Sequence, residues 1–210
     1  MGLVHPGVPR RLAVWLRDQL GAQDFVETGT NVAGTVAWAG RNFPRAISIE
    51  ADPHFHALAR ARLASAANVE LRLGESQAEL VPVIAALRRP ALVWLDAHWS
   101  GEGTAGEAME CPLLDEIAVV DAGEFQHAIL IDDARLFLNP PPPPHKADQW
   151  PTIGAIVDLL RARYTDAFVT VTDDVIVRVP ASLRSPLEKF IVRENAPRRF
   201  VRGLLSRLRA

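Results

Sequence analysis

The stretch that decides the fold is Phe25–Thr35, with the sequence FVETGTNVAGT. A short apolar run ends at the acidic Glu27, and the chain then turns through Gly29 and Gly34. The stretch therefore predicts a strand, a ligand-binding loop and the start of a helix. Such a junction presents unpaired backbone N–H groups, and glycine lets a ligand approach the main chain because it has no Cβ. Ordinary strand-to-helix turns also use glycine, so this stretch alone does not establish a ligand site.

Short apolar runs alternate with helical patterns on both sides of this junction. The predicted strands are Phe25–Glu27, Ala46–Glu50, Val69–Leu73, Ala91–Leu95 and Ala128–Ile131. The predicted helices are Arg10–Leu20, Thr35–Arg41, Pro53–Ala64, Ala78–Leu87, one starting near Pro112, and Thr152–Tyr164. Apolar strands separated by helices indicate a Rossmann-like, doubly wound α/β fold with a mostly parallel sheet and helices on both faces. Residues 167–179 predict a C-terminal antiparallel hairpin that turns at Asp173-Asp174.

The composition is that of one globular domain. The chain has 210 residues, of which 49% are hydrophobic and 23% charged. It lacks the apolar core of a signal peptide and an apolar run of membrane-spanning length, so we expect a cytoplasmic protein. The single cysteine, Cys111, excludes an internal disulfide framework and a cysteine-based zinc site.

The charge is unevenly distributed between a domain over residues 1–183 and a tail over residues 184–210. The tail holds eight Lys/Arg and two Asp/Glu, which leaves 15 basic and 23 acidic side chains in the domain. An acidic domain argues against nucleic-acid binding. Within the tail, Arg198–Arg209 forms a basic amphipathic pattern that could contact a membrane surface. Packing on its own domain or on a second subunit, as in a homodimer, is the favoured interpretation.

Polar side chains follow each predicted strand of the parallel sheet. They are Glu27, Glu50, Gly74-Glu75-Ser76-Gln77, Asp96 with His98, and Asp132 with Asp133. The carboxyl ends of the strands in an open parallel sheet form the crevice where ligands bind, so these side chains should line one edge. Acidic residues after strands also cap helices, and Asp52 is assigned to that role.

Two nucleotide-type ligands fit such an edge. A dinucleotide would require the spacing G-x-G-x-x-G, whereas this loop has Gly29-x-x-x-x-Gly34. Glu27 would also face the anionic pyrophosphate. S-adenosylmethionine instead carries a cationic ammonium and sulfonium, and its two ribose hydroxyls can bind a carboxylate such as Glu50. The charges therefore favour S-adenosylmethionine, and a nucleotide-dependent dehydrogenase is a distant alternative.

These motifs resemble the class I S-adenosylmethionine-dependent methyltransferases, and most closely the metal-dependent O-methyltransferases of the catechol and macrolide-sugar type. The resemblance implies that Glu27-Thr28-Gly29 wraps the methionine part of the cofactor and that Glu50 holds the ribose. The segment from Gly74 to Leu80 would border the adenine. The full set of implied cofactor-binding residues is Glu27, Thr28, Gly29, Thr30, Asn31, Gly34, Glu50, Ala51, Gly74, Glu75, Ser76 and Asp96.

The resemblance also implies a metal site formed by Asp96, Asp132 and Asp133. Carboxylate oxygens from adjacent strand ends suit Mg²⁺, which would orient the substrate hydroxyls and lower the pKa of one of them. The alternative is that the two adjacent aspartates only start a turn and that Asp96 caps a loop. Two departures from the family pattern are Ala33 in place of a glycine and an extra residue in Asp96-Ala97-His98-Trp99, with no lysine after the tryptophan.

His98, with Asp96, is the predicted catalytic residue, because a histidine titrates near neutrality and could remove the proton of a hydroxyl. It could equally be a packing residue, and His145 and Lys146 are alternative bases. Trp99 and Trp150 are expected to wall the acceptor pocket. Arg135 could contact an acidic substrate group, although a surface position is favoured.

The sequence therefore predicts an S-adenosylmethionine-dependent O-methyltransferase, assisted by a divalent cation, that acts on a hydroxyl of a small molecule or a glycan. The Asp132-Asp133 pair favours sugar-type acceptors by analogy with the family. The alternative is a cofactor-binding protein without catalysis that serves as a scaffold or partner in a biosynthetic assembly.

Overall fold

The computed structural model describes residues 7–99, 101, 106 and 108–194. The predicted tail helix at Arg198–Arg209 and part of the loop that follows Trp99 lie outside these residues. Within the described part, no helix is both long enough and apolar enough to cross a membrane.

Seven strands form one mixed sheet with the order β3-β2-β1-β4-β5-β7-β6. The strands are β1 (Asp24–Thr28), β2 (Arg45–Glu50), β3 (Val69–Leu73), β4 (Leu92–Leu95), β5 (Ala128–Ile131), β6 (Phe168–Thr172) and β7 (Val175–Val179). The first five strands pair in parallel, and β7 pairs antiparallel with both β5 and β6. The predicted fold class is confirmed, including the C-terminal hairpin.

Helices cover both faces of the sheet. They are α1 (Arg10–Leu20), α2 (Gly34–Asn42), α3 (Pro53–Arg62), α4 (Ser76–Ala86), α5 (Leu113–Ala122), the short α6 (Arg135–Leu138) and α7 (Ile153–Ala162). One core layer contains buried side chains of α4, α5 and α7, and the other contains those of α1, α2 and α3. Because both faces are covered, β4 and β5 are apolar along their whole length, as their continuous runs predicted.

Local sequence signals explain several of the element ends. Gly21 ends α1 in a left-handed conformation with a φ of 61°, and its N–H bonds to the carbonyl oxygen of Arg17. The predicted cap Asp52 accepts bonds from the N–H groups of His54 and Phe55 at the start of α3. Asp173 and Asp174 both have positive φ, which gives the hairpin the tight turn that suits twisted antiparallel strands.

Residues 184–194 are helical and pack against the first helix. Trp15 of α1 stacks on Phe190 with ring centroids 5.0 Å apart, and Leu187 is fully buried in the same core layer. The first part of the basic tail therefore continues the domain core up to residue 194.

A buried polar cluster lies at the amino-terminal end of β4 and β5, away from the strand ends that carry the predicted site. His127 is fully buried, and its Nδ1 accepts a bond of 3.0 Å from the backbone N–H of Ala91. Arg178 of β7 is also fully buried and pairs with Asp121 at 2.7 Å. Burial, together with the charges of Arg178 and Arg163, lowers the pKa of His127 from 6.5 to about 4.

We expect His127 to make the fold sensitive to acid. The unfolded chain binds a proton at this histidine below pH 6.5, whereas the folded chain does so only near pH 4. Stability is therefore fully present above pH 6.5 and is lost as the pH falls, by about 3 kcal/mol at pH 4. Urea unfolding from pH 7 to pH 4 should show a smaller loss for His127→Gln than for the native chain.

The exposed His54 provides the control, because His54→Gln should keep the pH dependence of the native chain. Comparing variants with the native chain also removes the contribution of carboxyl groups that titrate in the same range. Equal pH dependence in the native chain and His127→Gln would contradict the prediction.

Candidate functional site

The carboxyl ends of β1, β2 and β4 open onto a cleft at one edge of the sheet. Seven of the predicted cofactor-binding residues line it: Gly29, Asn31, Glu50, Ala51, Glu75, Ser76 and Asp96. The same cleft is lined by His98 and by residues not predicted for it, among them Ile49, Phe55, Met109 and Pro112. The structure thus brings most of the predicted strand-end residues together in one place.

The loop after β1 requires glycine at one position. Gly29 has a φ of 81°, and its N–H bonds to the carbonyl oxygen of Ile49 at 2.9 Å. A Cβ at Gly29 would lie 2.8 Å from the carbonyl carbon of Asp96 and closer still to its oxygen. Only a residue without a side chain permits this approach of the two strand ends. Gly34 is different, because it begins α2 and a Cβ there would contact nothing within 4 Å.

Glu27 does not line the cleft, although its charge suggested a direct contact with a cationic cofactor. Its side chain is buried below the loop and accepts a bond of 2.6 Å from the Ser48 hydroxyl, which also bonds to the Thr30 hydroxyl at 2.6 Å. Burial raises the pKa of Glu27 well above its usual value of 4.5, and the charges of Asp96 and Glu50 add to the rise. Glu27 therefore stabilises the loop after β1 through its bond to Ser48, which in turn bonds to Thr30.

Glu50 lines the cleft with its carboxylate held by two backbone groups. Its Oε2 accepts the N–H of Asn31 at 2.8 Å, and its Oε1 accepts the N–H of Asp52 at 2.9 Å. These two bonds hold the carboxylate in one orientation. A carboxylate has about four lone-pair sites, so two acceptor positions remain for a pair of ligand hydroxyls.

The other predicted cofactor residues lie behind the cleft surface. Thr28 is fully buried and its hydroxyl accepts the N–H of Asp96 at 3.3 Å, which ties β1 to β4. Thr30 is 4% exposed and bonds to Ser48 as described above. Gly74 bonds through its N–H to the carbonyl oxygen of Glu50 at 2.9 Å. None of these residues, nor Gly34, is among those that line the cleft.

The predicted base His98 is part of a chain of charged groups. Its Nε2 lies 3.0 Å from Asp133 Oδ2, and the other oxygen of Asp133 accepts a bond of 2.6 Å from Arg135. Arg135 also pairs with Asp174 of the hairpin turn. Burial lowers the pKa of His98, but the bond to Asp133 and the nearby aspartates outweigh burial and raise it above 6.5. Arg135 thus holds Asp133 instead of presenting a free charge to a substrate.

The carboxyl groups of Asp96 and Asp132 are close enough to repel each other. Burial raises the pKa of Asp132 to about 8, with the charges of Asp96 and Asp133 adding to the rise. Burial likewise raises the pKa of Asp96 to about 6, although His98 opposes it. The two carboxyl groups titrate as a pair, and the pair keeps a proton to higher pH than isolated aspartates do.

The described contacts do not support the predicted Mg²⁺ site. Both oxygens of Asp133 are engaged, one by His98 and one by Arg135. Asp132 Oδ1 accepts the N–H of Asp133 at 2.8 Å. Among the residues that the structure describes, no group of three or more His, Cys, Asp or Glu side chains could hold a metal ion. The predicted metal site at Asp96, Asp132 and Asp133 is therefore not supported.

Aromatic rings pack around His98. Trp150 packs against the His98 ring at a centroid distance of 5.4 Å, and Phe137 lies 5.5 Å from Trp150. His145 packs edge-on against both Trp99 and Trp150, at 5.4 and 5.0 Å. The two tryptophans predicted to wall the acceptor pocket therefore belong to one cluster with both histidines.

Glu116 is a buried acidic residue near the site that the sequence did not indicate. It lies in the first turn of α5, is 1% exposed, and borders a small cavity together with His98. Burial raises its pKa to about 7, although the hydroxyls of Ser76 and Thr28 interact with its carboxylate. Its position in a helix gave no signal, because exposed glutamates are common in the first turn of helices.

Several solved structures share this architecture. An O-methyltransferase from Bacillus cereus in complex with SAH has a TM-score of 0.59 and 17% identity, with 83% of this chain and 81% of that chain covered. A putative caffeoyl-CoA O-methyltransferase from Staphylococcus aureus has a TM-score of 0.57 and 11% identity, covering 85% and 86%. DesVI from Streptomyces venezuelae has a TM-score of 0.53 and 11% identity, covering 82% and 90%.

The chain has the fold of the S-adenosylmethionine-dependent methyltransferases. No family model matches the sequence, and no curated protein matches it either. The shared architecture confirms the fold that the resemblance implied. In this fold the described cleft lies where the first two strands end, at the position predicted for the cofactor.

We expect Gly29 to control cofactor binding. In Gly29→Ala the added methyl group would collide with the backbone of Asp96 and force β1 and β4 apart at the cleft. Calorimetry should show that S-adenosylmethionine binds at least about tenfold more weakly, which corresponds to about 1.4 kcal/mol.

Gly34→Ala is the matched control, because its Cβ meets open space and its φ is not positive. It should bind S-adenosylmethionine as the native chain does, and alanine should slightly stabilise the first turn of α2. Equal loss of binding in both variants would show that the close approach of Gly29 to Asp96 does not decide binding.

Proposed function

We propose that the protein is an S-adenosylmethionine-dependent O-methyltransferase that acts on a hydroxyl of a small molecule or glycan. The observation that carries the proposal is the pairing of His98 with Asp133. His98 lines the cleft of a chain that has the methyltransferase fold. The described residues fit the cofactor, since Gly29 lines the cleft without a side chain and Glu50 offers two acceptor positions.

The pairing of His98 selects one tautomer of its ring. When Nε2 donates its hydrogen to Asp133, Nδ1 is left as the basic nitrogen. Asp133 is itself fixed by Arg135, so the imidazole is held in one orientation. This is the arrangement that lets a histidine accept the proton of a hydroxyl group.

Nδ1 of His98 would remove the proton from the acceptor hydroxyl as its oxygen attacks. Held along the loop of Gly29 and at Glu50, S-adenosylmethionine would supply an electrophilic methyl group on a sulfonium, whose carbon–sulfur bond would break as the carbon–oxygen bond of the product formed. The products are a methyl ether, S-adenosylhomocysteine and a proton on His98. Asp96, 3.9 Å from Nδ1, would stabilise the imidazolium that results.

A base with this environment predicts a specific pH dependence. The pKa of His98 is raised above 6.5, so the neutral and active form appears only as the pH rises through that higher value. The rate of methyl transfer should therefore increase with pH above about 6.5. In Asp133→Asn this increase of the rate should occur at lower pH, because the charge that raises the pKa of His98 is lost. The rate should also fall about 10²–10⁴-fold, because the ring loses its orientation.

The measurement is transfer of a labelled methyl group from S-adenosylmethionine to two probe acceptors, catechol and 4-nitrophenyl β-glucoside. His98→Gln should abolish transfer and keep cofactor binding in calorimetry. Full transfer by His98→Gln would remove the histidine from the mechanism. Cofactor binding with no transfer to any hydroxyl acceptor would favour the scaffold hypothesis.

The proposed mechanism gives no role to the predicted Mg²⁺, because Asp133 is engaged by His98 and Arg135. We therefore expect EDTA to leave the rate of methyl transfer unchanged. A rate that falls in EDTA and returns on addition of Mg²⁺ would contradict this expectation and restore the metal-assisted hypothesis.

A further inference from the structure

Glu110 is a fully buried carboxylate in the loop between β4 and α5. Its Oε2 accepts a bond of 2.8 Å from the indole N–H of Trp150. Both of its oxygens lie within hydrogen-bond distance of the backbone N–H of Lys146, at 3.1 and 3.0 Å. The ring of His145 lies 3.5 Å from Oε2. Burying a carboxylate away from water costs free energy. Hydrogen-bond donors such as these offset that cost by replacing the lost water.

The backbone of Glu110 also forms hydrogen bonds to neighbouring parts of the chain. Its N–H donates to the side chain of Gln149 at 2.9 Å, and its carbonyl oxygen accepts the N–H of Trp99 at 2.7 Å. One residue thus joins the loop after β4 to the loop over residues 139–152, which follows β5 and α6. We call this set, formed by Glu110, Trp99, Lys146, Gln149 and Trp150, the Glu110 junction.

The ionised form of Glu110 is the one that the junction stabilises. Burial raises the pKa of Glu110, but the bonds from Trp150 and Lys146 and the nearby charge of His145 outweigh burial and hold the pKa below its usual value. Bonds from neutral donors to an ionised acceptor are shorter and stronger than bonds between neutral groups. The position of the Trp150 ring is therefore fixed by a charge-assisted bond.

Trp150 is also the ring that packs against His98, with the centroids 5.4 Å apart. Trp150 also borders an open groove together with Met109, Pro112 and Leu114. Met109 and Pro112 border the cofactor cleft as well, so the groove continues into the cleft. An acceptor that reaches the cleft along this groove passes the tryptophan that Glu110 holds.

We propose that Glu110 is a positioning residue of the acceptor site, because its carboxylate holds the Trp150 ring against His98 and so fixes the wall along which an acceptor approaches the base. The inference rests on the methyl transfer proposed for His98. It differs from a general role in folding, since it assigns to Glu110 an effect on His98 and on the acceptor and none on the cofactor.

Nuclear magnetic resonance tests the junction without any acceptor. Trp150→Phe identifies the indole N–H signal of Trp150 among those of the five tryptophans, and His98→Gln identifies the ring signal of His98 among the six histidines. At constant pH, Glu110→Gln should shift both signals, because the indole loses its charged acceptor and the ring current at His98 changes.

Glu124→Gln is the matched control, since Glu124 is exposed and lies at the opposite end of α5. It should leave both signals in place. A His98 signal that is unchanged in Glu110→Gln would overturn the proposal, whether or not the indole signal moves. If Glu110→Gln does not fold, Gln149→Ala is the second variant, because it removes the acceptor of the Glu110 N–H. It should also shift the His98 signal, and an unchanged signal would overturn the proposal.

Kinetics then separate positioning from folding. With the acceptor probe that the native chain methylates, Glu110→Gln should lower kcat/KM for the acceptor at least tenfold and leave KM for S-adenosylmethionine within twofold. Trp150→Phe should cause a loss of similar size, and the double variant should lose little more than either single one. Additive losses, or an equal loss for the cofactor, would overturn the proposal. Absence of methyl transfer by the native chain would instead count against the proposed function, and the resonance test would still stand.

Discussion

The parallel register of four neighbouring strands is the constraint on which the site depends. Thr28 of β1 lies opposite Ile49 of β2 on one side and Leu95 of β4 on the other, and Leu95 lies opposite Ile131 of β5. Strands that run in the same direction and in this register must all finish at one edge. The residues that follow them are therefore neighbours before any of their own contacts form. This closeness requires glycine at position 29, because no side chain fits between the first loop and Asp96.

This constraint explains how much the sequence predicts. The strands at Val69–Leu73 and Ala128–Ile131 were predicted with the bounds that the structure has, the first from its alternating side chains and the second from its continuous apolar run. The cleft residues Glu50, Ser76 and Asp96 were predicted from their positions after strands, without knowledge of any contact. Periodicity and strand order are local or topological properties, and they are sufficient to place residues at an edge.

The sequence does not specify which of these residues bind one another. Asp96, Asp132 and Asp133 suggested a metal site, whereas Asp133 is paired with His98 and Arg135. Choosing between a cation and a histidine as the partner of a carboxylate requires distances that a motif does not contain. Buried glutamates are a second case, since Glu27, Glu110 and Glu116 owe their burial to residues far away in the chain. Glu110 shortly precedes the predicted helix that starts near Pro112, whereas its partners, residues 146–150, follow it by almost forty positions.

The position of β7 in the sheet affects the order in which parts of the fold can form during synthesis. This strand lies between β5 and β6, and the turn that precedes it supplies Asp174, which holds Arg135 beside the partner of His98. A ribosome synthesises the cofactor loop, the cleft and His98 well before it reaches residue 174. The parallel half of the sheet can thus assemble during synthesis, while the orientation of the histidine is completed only when the hairpin inserts next to β5.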